Sequence, residues 1–345
     1  MKNKDLVILT SKDKFFGQTR KPWSSLNVDA IAHKIREAGF NVELYDFHVA
    51  FNEDINIRNK TVLYAFSQKE NYRQYVRDMI YSLTKHNHII PSYDLLKCHE
   101  NKGYQEVLKK EIGLNDLKGN YFTSADEVDA GALQYPIVLK TVKGSNGKGV
   151  FLLKNEKDFL KVAKVLRNKF SIATHIDLLR RKYIRRKKFK DYPLFSDRQD
   201  YLEYKEYLKV EENFVLQQFV PGLSFDYRVL IAHDRYYVMK RDVKKGDFRA
   251  SGSKMFKFSN IPEPGLLSFA RRIYGFFDTP FLSIDVLFDG KEYHLAEFQA
   301  LHFGTSVVTQ SSGYFTDHEQ NWQFNEEQPN LENLFSNTLI AYLKK

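Results

Sequence analysis

Two apolar runs joined by a turn dipeptide constrain this chain more than any other feature. They are Phe281-Leu-Ser-Ile-Asp-Val-Leu-Phe288 and Tyr293-His-Leu-Ala-Glu-Phe298, either side of Asp289-Gly290. β-Branched and aromatic residues flanking Asp-Gly predict a hairpin of antiparallel strands. Ile284, Val286, Leu295 and Phe298 predict that it is largely buried, yet each run carries an acid, Asp285 or Glu297. A carboxylate in apolar surroundings needs a cation. If the strands pair, the two acids meet on one face, and Gln299 adds a neutral oxygen two residues along on the same side. Hard oxygen donors on rigid neighbouring strands suit a magnesium ion that keeps some water and also binds phosphate oxygens. The competing reading is an exposed hairpin with solvated acids.

At 345 residues and 43% hydrophobic content, the chain can bury a substantial core and is expected to form two or three domains. No apolar run is long enough to span a bilayer, and Met1-Lys-Asn-Lys-Asp5 leads straight into a short strand without a signal-peptide core. The single cysteine, Cys98, excludes an internal disulfide. A cytoplasmic enzyme is the expectation, with a place at the inner membrane face as the variant. The net charge of +10 favours anionic partners without choosing among nucleotides, acidic sugars, lipid headgroups and nucleic acid.

Along the chain, Leu6–Leu9, a helical pattern from Asn27 to Ala38, and Asn41–Tyr45 read as β, α and β, hence a parallel sheet over residues 1–92. No glycine fingerprint follows the first strand, which excludes dinucleotide binding there. A second segment, 93–212, holds a helix over Glu100–Gly113, a strand over Tyr135–Lys140, and the loop Gly144-Ser145-Asn146-Gly147-Lys148-Gly149 leading into the strand Val150–Leu153. Strand, glycine loop and strand form a hairpin lid, unlike the strand, loop and helix of a P-loop. Its glycines let backbone amides approach phosphate closely, with Lys140 and Lys148 adding charge; a plain surface hairpin is the alternative.

The third segment, 213–345, begins with antiparallel strands over Phe214–Val220, Asp226–Ile231 and Tyr236–Arg241. Arg228, Arg241 and Arg249 lie in or beside these strands, where guanidinium groups can hold phosphate oxygens and offset charge that develops during transfer. Salt bridging to acids is the bland alternative. His302 is a candidate base for an incoming amine, or a packed residue. Within a helical insertion over 171–210, residues 180–190 hold eight basic side chains in eleven, behind an apolar face of Ile172, Ile176, Leu179 and Tyr183. That insertion could meet an anionic membrane, an acidic glycan or a nucleic acid, or be a solvated helix face. No base-reading module accompanies it, so nucleic acid is disfavoured. The run Tyr314–Trp322 could line an acceptor pocket or close the core.

The order of these motifs resembles the ATP-grasp superfamily over roughly residues 90–310. The matching pieces are Asn101-Lys102, Pro136–Lys140, Gly144–Val150, Val215–Val220, Asp226–Arg228, Arg241–Arg249, Asp285 and Glu297–Gln299. The likeness is to the carboxylate-amine ligase branch, which includes ribosomal-protein glutamate ligases and D-alanine:D-alanine ligases. It implies a mixed α/β and α+β architecture, with a pre-ATP-grasp α/β domain, a small lid and a C-terminal grasp domain. It also implies that Lys102 and Lys140 contact the phosphates and base of ATP, and that Gly144, Ser145, Gly147, Lys148 and Gly149 form the lid. Gln217, Gln218, Phe219 and Val220 become the adenine strand, and Asp226 lies near the ribose. Asp285, Glu297 and Gln299 become ligands of one or two magnesium ions, manganese being an alternative, with Glu297 bridging. Two departures are Gln299, where asparagine is usual, and Gln218, where an acid is common.

The chemistry implied is phosphorylation of a carboxylate by ATP followed by displacement of phosphate by an amine. Arg241 would stabilise the transferring phosphoryl group, and Arg249 or Arg228 would hold the acceptor or intermediate. The carboxylate could belong to a small molecule, a peptide or a sugar acid, and a homodimer is compatible with the sequence. A phosphotransferase, and a nucleotide-binding homologue that no longer ligates and acts as a sensor or assembly partner, are the alternatives that the same residues allow.

Overall fold

The computed structural model describes residues 4–345 except 20, 22, 54, 115, 145–146, 168–170, 185–196, 210 and 320, with the backbone alone for 197–200. The chain divides into two compact units, one of residues 1–118, 145–147 and 220–345, the other of 119–144 and 148–219.

The first unit opens with a parallel sheet. β1 (Asp5–Thr10) lies between β2 (Asn41–Asp46) and β3 (Thr61–Tyr64), and β4 (His88–Ile90) pairs with β3. Side chains alternate across a strand, so the unbroken apolar run of β1 requires cover on both faces. Leu6 and Ile8 pack with Ile31 and Ile35 of α1 (Val28–Glu37), while Val7 and Leu9 pack with Val76 and Ile80 from another helix on the opposite face. Asn27 caps α1 by accepting from the Ala30 amide, and Gly39, at φ +91°, follows its end. The connections include α2 (Phe47–Asn52) and α3 (Glu70–Thr84), and α4 (Tyr93–Cys98) and α5 (Lys102–Glu111) follow β4.

The second unit has an antiparallel sheet in the order β5 (Gly119–Phe122), β8 (Phe214–Gln218), β6 (Ile137–Thr141), β7 (Val150–Leu153). Leu139, Leu153, Phe214 and Leu216 form one face of it, packed on Phe159, Ala163 and Leu166 of α6 (Glu156–Leu166). α7 (Ile172–Tyr183) and α8 (Asp197–Tyr207) pack on each other within the insertion.

A second, antiparallel sheet completes the first unit, ordered β13 (Tyr293–Gln299), β12 (Phe281–Phe288), β9 (Phe225–Ala232), β10 (Arg235–Asp242), β14 (Gly313–His318), β15 (Asn321–Glu326), with β11 (Phe256–Lys257) paired to β10. Val229, Ile231, Leu282 and Ile284 pack with Leu267, Ala270 and Ile273 of α9 (Leu266–Tyr274). Beyond the short α10 (Ser306–Thr309), α11 (Leu331–Lys344) sets Phe335 and Leu339 into the same core as α1. The run Tyr314–Trp322 is therefore a hairpin, with Glu319 at φ +52°, its Phe315 and Trp322 packed in the sheet's core. No helix among the described residues is long and apolar enough to cross a membrane.

Candidate functional site

Asp285 of β12 stands opposite Glu297 of β13 on one side and Arg228 of β9 on the other. The hairpin that delivers this pairing is locally determined. Asp289 accepts from the amides of Lys291 and Glu292, both at 2.8 Å, and Gly290 takes φ +96°, a conformation open to glycine at little cost. A register shift follows Asp285 and Glu297, so Ala296 bulges out of the ladder. Such bulges re-aim side chains beside functional sites. Gln299 Nε2 donates to Glu297 Oε1 at 3.3 Å, which puts the amide and both acids on one side of the hairpin, as the alternation requires.

Around Asp285 the arginines close a four-charge cluster. Arg228 Nε and Nη2 donate to the two Asp285 oxygens at 2.8 and 3.0 Å. Arg241 Nε and Nη2 donate to the Asp226 oxygens at 2.6 and 2.7 Å, and Nη2 also lies 3.0 Å from Asp285 Oδ2. Burial works against a charged Asp285, but the guanidinium groups of Arg228 and Arg241 prevail and hold its carboxyl well below the usual carboxylate range. At Asp226 burial outweighs Arg241 and raises the carboxyl, with the Asp285 charge pushing the same way. Arg241 is raised by Asp285 and Asp226 against its own burial. Two acids and two bases leave the cluster neutral.

This geometry corrects two expectations. Arg241 is 3% exposed and committed to two aspartates, so it holds Asp285 in place and is not presented to a phosphate. Asp226 is 5% exposed and locked to Arg241 within the sheet, so it is an ion-pair partner and not a ribose ligand. Arg228 has the more exposed guanidinium side chain, at 26%. Arg249 chelates Asp247 through Nε and Nη2, both at 2.9 Å, and donates from Nη1 to the Gly147 carbonyl at 2.8 Å. That bidentate contact is the main reason the Asp247 carboxyl falls to about 2. His302 is buried, its ring centroid 4.8 Å from those of both His99 and Phe66, and its amide donates to Gln18 Oε1. It is a packed residue.

Sequence reasoning missed the brace behind β13. Gln105 of α5 receives the Phe298 amide at 3.4 Å, and Asp116 receives the Leu295 amide at 3.0 Å. Beside Gln105, Lys109 donates to both Glu106 oxygens, at 3.1 and 2.9 Å, and to the Leu117 carbonyl at 2.8 Å. Lys102, Gln105, Glu106 and Lys109 are all buried. Their i, i+3, i+4 and i+7 spacing was the available signal, since a stripe of long polar side chains at helical period marks an inward face. Lys102 opens α5, capped by Asn101 accepting from the Tyr104 amide.

In the second unit, Lys140 pairs in register with Val215, and Val138 with Gln217. Period-two alternation puts these four on the sheet face opposite Leu139, Phe214 and Leu216. Gln217 is buried, Gln218 exposed and Phe219 half-buried; Val220, buried, begins the later segment of the first unit. In the glycine loop, Gly144, Gly147 and Gly149 take φ of +120°, +73° and +71°, and Lys148 is exposed. Ser145 and the basic stretch 185–190 lie outside the described residues. A Cβ on Gly149 would sit 2.0 Å from Thr141 Oγ1. Gly149→Ala is therefore expected to destabilise the second unit by about 1–3 kcal/mol, measured as earlier unfolding in a thermal scan.

Carboxylate and amide oxygens are the donor types that magnesium takes. Among the described residues no group of three or more His, Cys, Asp or Glu is placed to hold a metal. Asp285, Glu297 and Gln299 bring two carboxylates and one amide to one side of the hairpin, with both Asp285 oxygens engaged by Arg228 and Arg241.

Residues 99–195 match the RimK-like ATP-grasp domain. No curated protein matches the sequence. Among solved structures, the chain is similar to the ATP-grasp ligase PsnB complexed with precursor peptide PsnA2 and AMPPNP, at 12% identity and TM-score 0.50, covering 99% of this chain and 98% of that one. It is also similar to the D-cycloserine synthetase DcsG, at 11% identity and TM-score 0.52, covering 98% and 99%. The chain has the ATP-grasp fold.

Proposed function

We propose that this protein is an ATP- and magnesium-dependent ligase that activates a carboxylate as an acyl phosphate and joins it to an amine. The observation that carries this reading is Asp285 paired in register with Glu297, with Gln299 beside them, on a chain of the ATP-grasp fold. The AMPPNP and precursor peptide named for the PsnB complex support a nucleotide and a peptide as the kinds of ligand to test.

Asp285, Glu297 and Gln299 would hold magnesium, which supplies charge neutralisation at the terminal phosphates of ATP. Arg241 fixes Asp285, so that the carboxylate is held ionised and in one orientation. Arg228, the more exposed cation of the cluster, offsets charge on the transferring group as the substrate carboxylate attacks in line and ADP leaves. The amine then displaces inorganic phosphate from the acyl carbon. Arg249 is assigned to the acceptor or the acyl phosphate. Lys102 and Lys140, with Gly144, Gly147, Lys148 and Gly149, are assigned to the phosphates, and Gln217, Gln218, Phe219 and Val220 to the adenine. No side-chain nucleophile is required, because the parts act by positioning and electrostatics.

Product analysis tests this. A ligase releases ADP and phosphate when both a carboxylate and an amine acceptor are present, and chelation of magnesium stops the release. A stable phosphorylated acceptor formed with no amine would instead identify a phosphotransferase.

A further inference from the structure

Helix α7 turns its more apolar face outward. Toward α8 it presents Asp177 and Arg181: the Tyr204 hydroxyl donates to Asp177 Oδ2 at 2.5 Å and the Arg181 guanidinium lies 3.9 Å over the Tyr204 ring; Leu178 is buried. On the far side, Ile172, Ile176, Leu179 and Tyr183 recur at i, i+4, i+7 and i+11 and are 82%, 53%, 56% and 62% exposed. At 3.6 residues per turn these four form one narrow stripe, with Arg180 on one flank and His175 and Lys182 on the other. Ile184, next in the chain, is 75% exposed.

We propose that this face of α7 docks on an anionic phospholipid bilayer. A hydrated polyanion such as RNA or an acidic glycan would satisfy the cations but leave the aliphatic stripe in water. At a bilayer surface the stripe enters the acyl boundary, while Arg180 and Lys182 lay their stems along it and reach headgroup phosphates. A second copy of the chain would also cover the stripe, but it would bring Arg180 and Lys182 close to their own copies, like charge facing like charge.

The test uses the full chain in co-sedimentation with vesicles of phosphatidylcholine alone and of phosphatidylcholine with about a third phosphatidylglycerol. The wild type is expected to bind the phosphatidylglycerol vesicles at least about tenfold more tightly, and less tightly as salt rises. The variant Ile176→Glu/Leu179→Glu, at two exposed positions, is expected to lose more than about tenfold of that affinity while forming ADP at the wild-type rate. Arg180→Glu/Lys182→Glu is expected to weaken binding as well. Equal binding to both vesicles, no binding to either, or full affinity in the Ile176→Glu/Leu179→Glu variant would overturn the proposal. So would a wild-type dimer that this variant splits and that ignores vesicles, since the stripe would then belong to a second copy.

Discussion

Glu297→Ala is expected to abolish ADP formation, lowering turnover by about a thousandfold or more, while the protein keeps its fold and its unfolding temperature. The rate effect follows from the proposed metal: losing a carboxylate ligand removes several kcal/mol of charge stabilisation at the phosphates, and each 1.36 kcal/mol is tenfold in rate. Retention of the fold follows from where Glu297 sits. Its side chain is half-buried and receives Gln299 Nε2, while the four-charge cluster is closed by Asp226, Arg228, Arg241 and Asp285 without it. Asp285→Ala would be a poorer probe, because it strips Arg228 of its bidentate partner and confuses lost chemistry with lost stability. Steady-state ADP release beside a thermal scan separates the two effects. Turnover at the wild-type rate in Glu297→Ala would remove the metal assignment.

What could be read in the sequence was whatever short-range chemistry decides. Asp289-Gly290 determines the turn and the turn the hairpin, but turn and alternation alone would set Asp285 opposite Ala296; the bulge at Ala296, which no residue type announces, sets it opposite Glu297, with Gln299 two residues along on the same side. The cap at Asn27 and Gly39 likewise delimited α1. The task of the arginines was legible only in part: Arg241 faces Asp226 across the local hairpin of β9 and β10, fifteen positions apart, whereas Asp285 reaches Arg228, fifty-seven positions away, only because β12 pairs with β9. The hairpin of β14 and β15 was missed for a local reason. Its turn reaches positive φ at Glu319, without the glycine or asparagine that usually announces such a turn.

The same register makes Arg241→Met the variant with the largest expected effect on stability. Arg241 is the cation shared by Asp226 and Asp285, and its removal leaves two enclosed carboxylates facing only Arg228. Truncating one member of a buried charge network costs about 3–5 kcal/mol, mostly from the charge left unpaired. At roughly 2–4 °C per kcal/mol, the first unit should unfold about 6–20 °C below the wild type at neutral pH in calorimetry. The loss should depend on pH in a definite direction. Asp285, held low in the wild type, contributes stability above the ordinary carboxylate pKa of about 3.9 that is lost only as pH falls through its own lower value. Asp226 is already raised, and without Arg241 it rises further. A raised acid costs stability above its unfolded pKa and nothing below it, so the deficit of Arg241→Met should shrink as pH is lowered from neutral toward about 4. Adding Asp226→Asn to Arg241→Met restores a neutral cluster of Asp285 with Arg228 and should recover most of the loss, a coupling that independent surface charges would not show. Wild-type unfolding by the single variant, or a deficit that grows on acidification, would mean that the aspartates do not depend on Arg241.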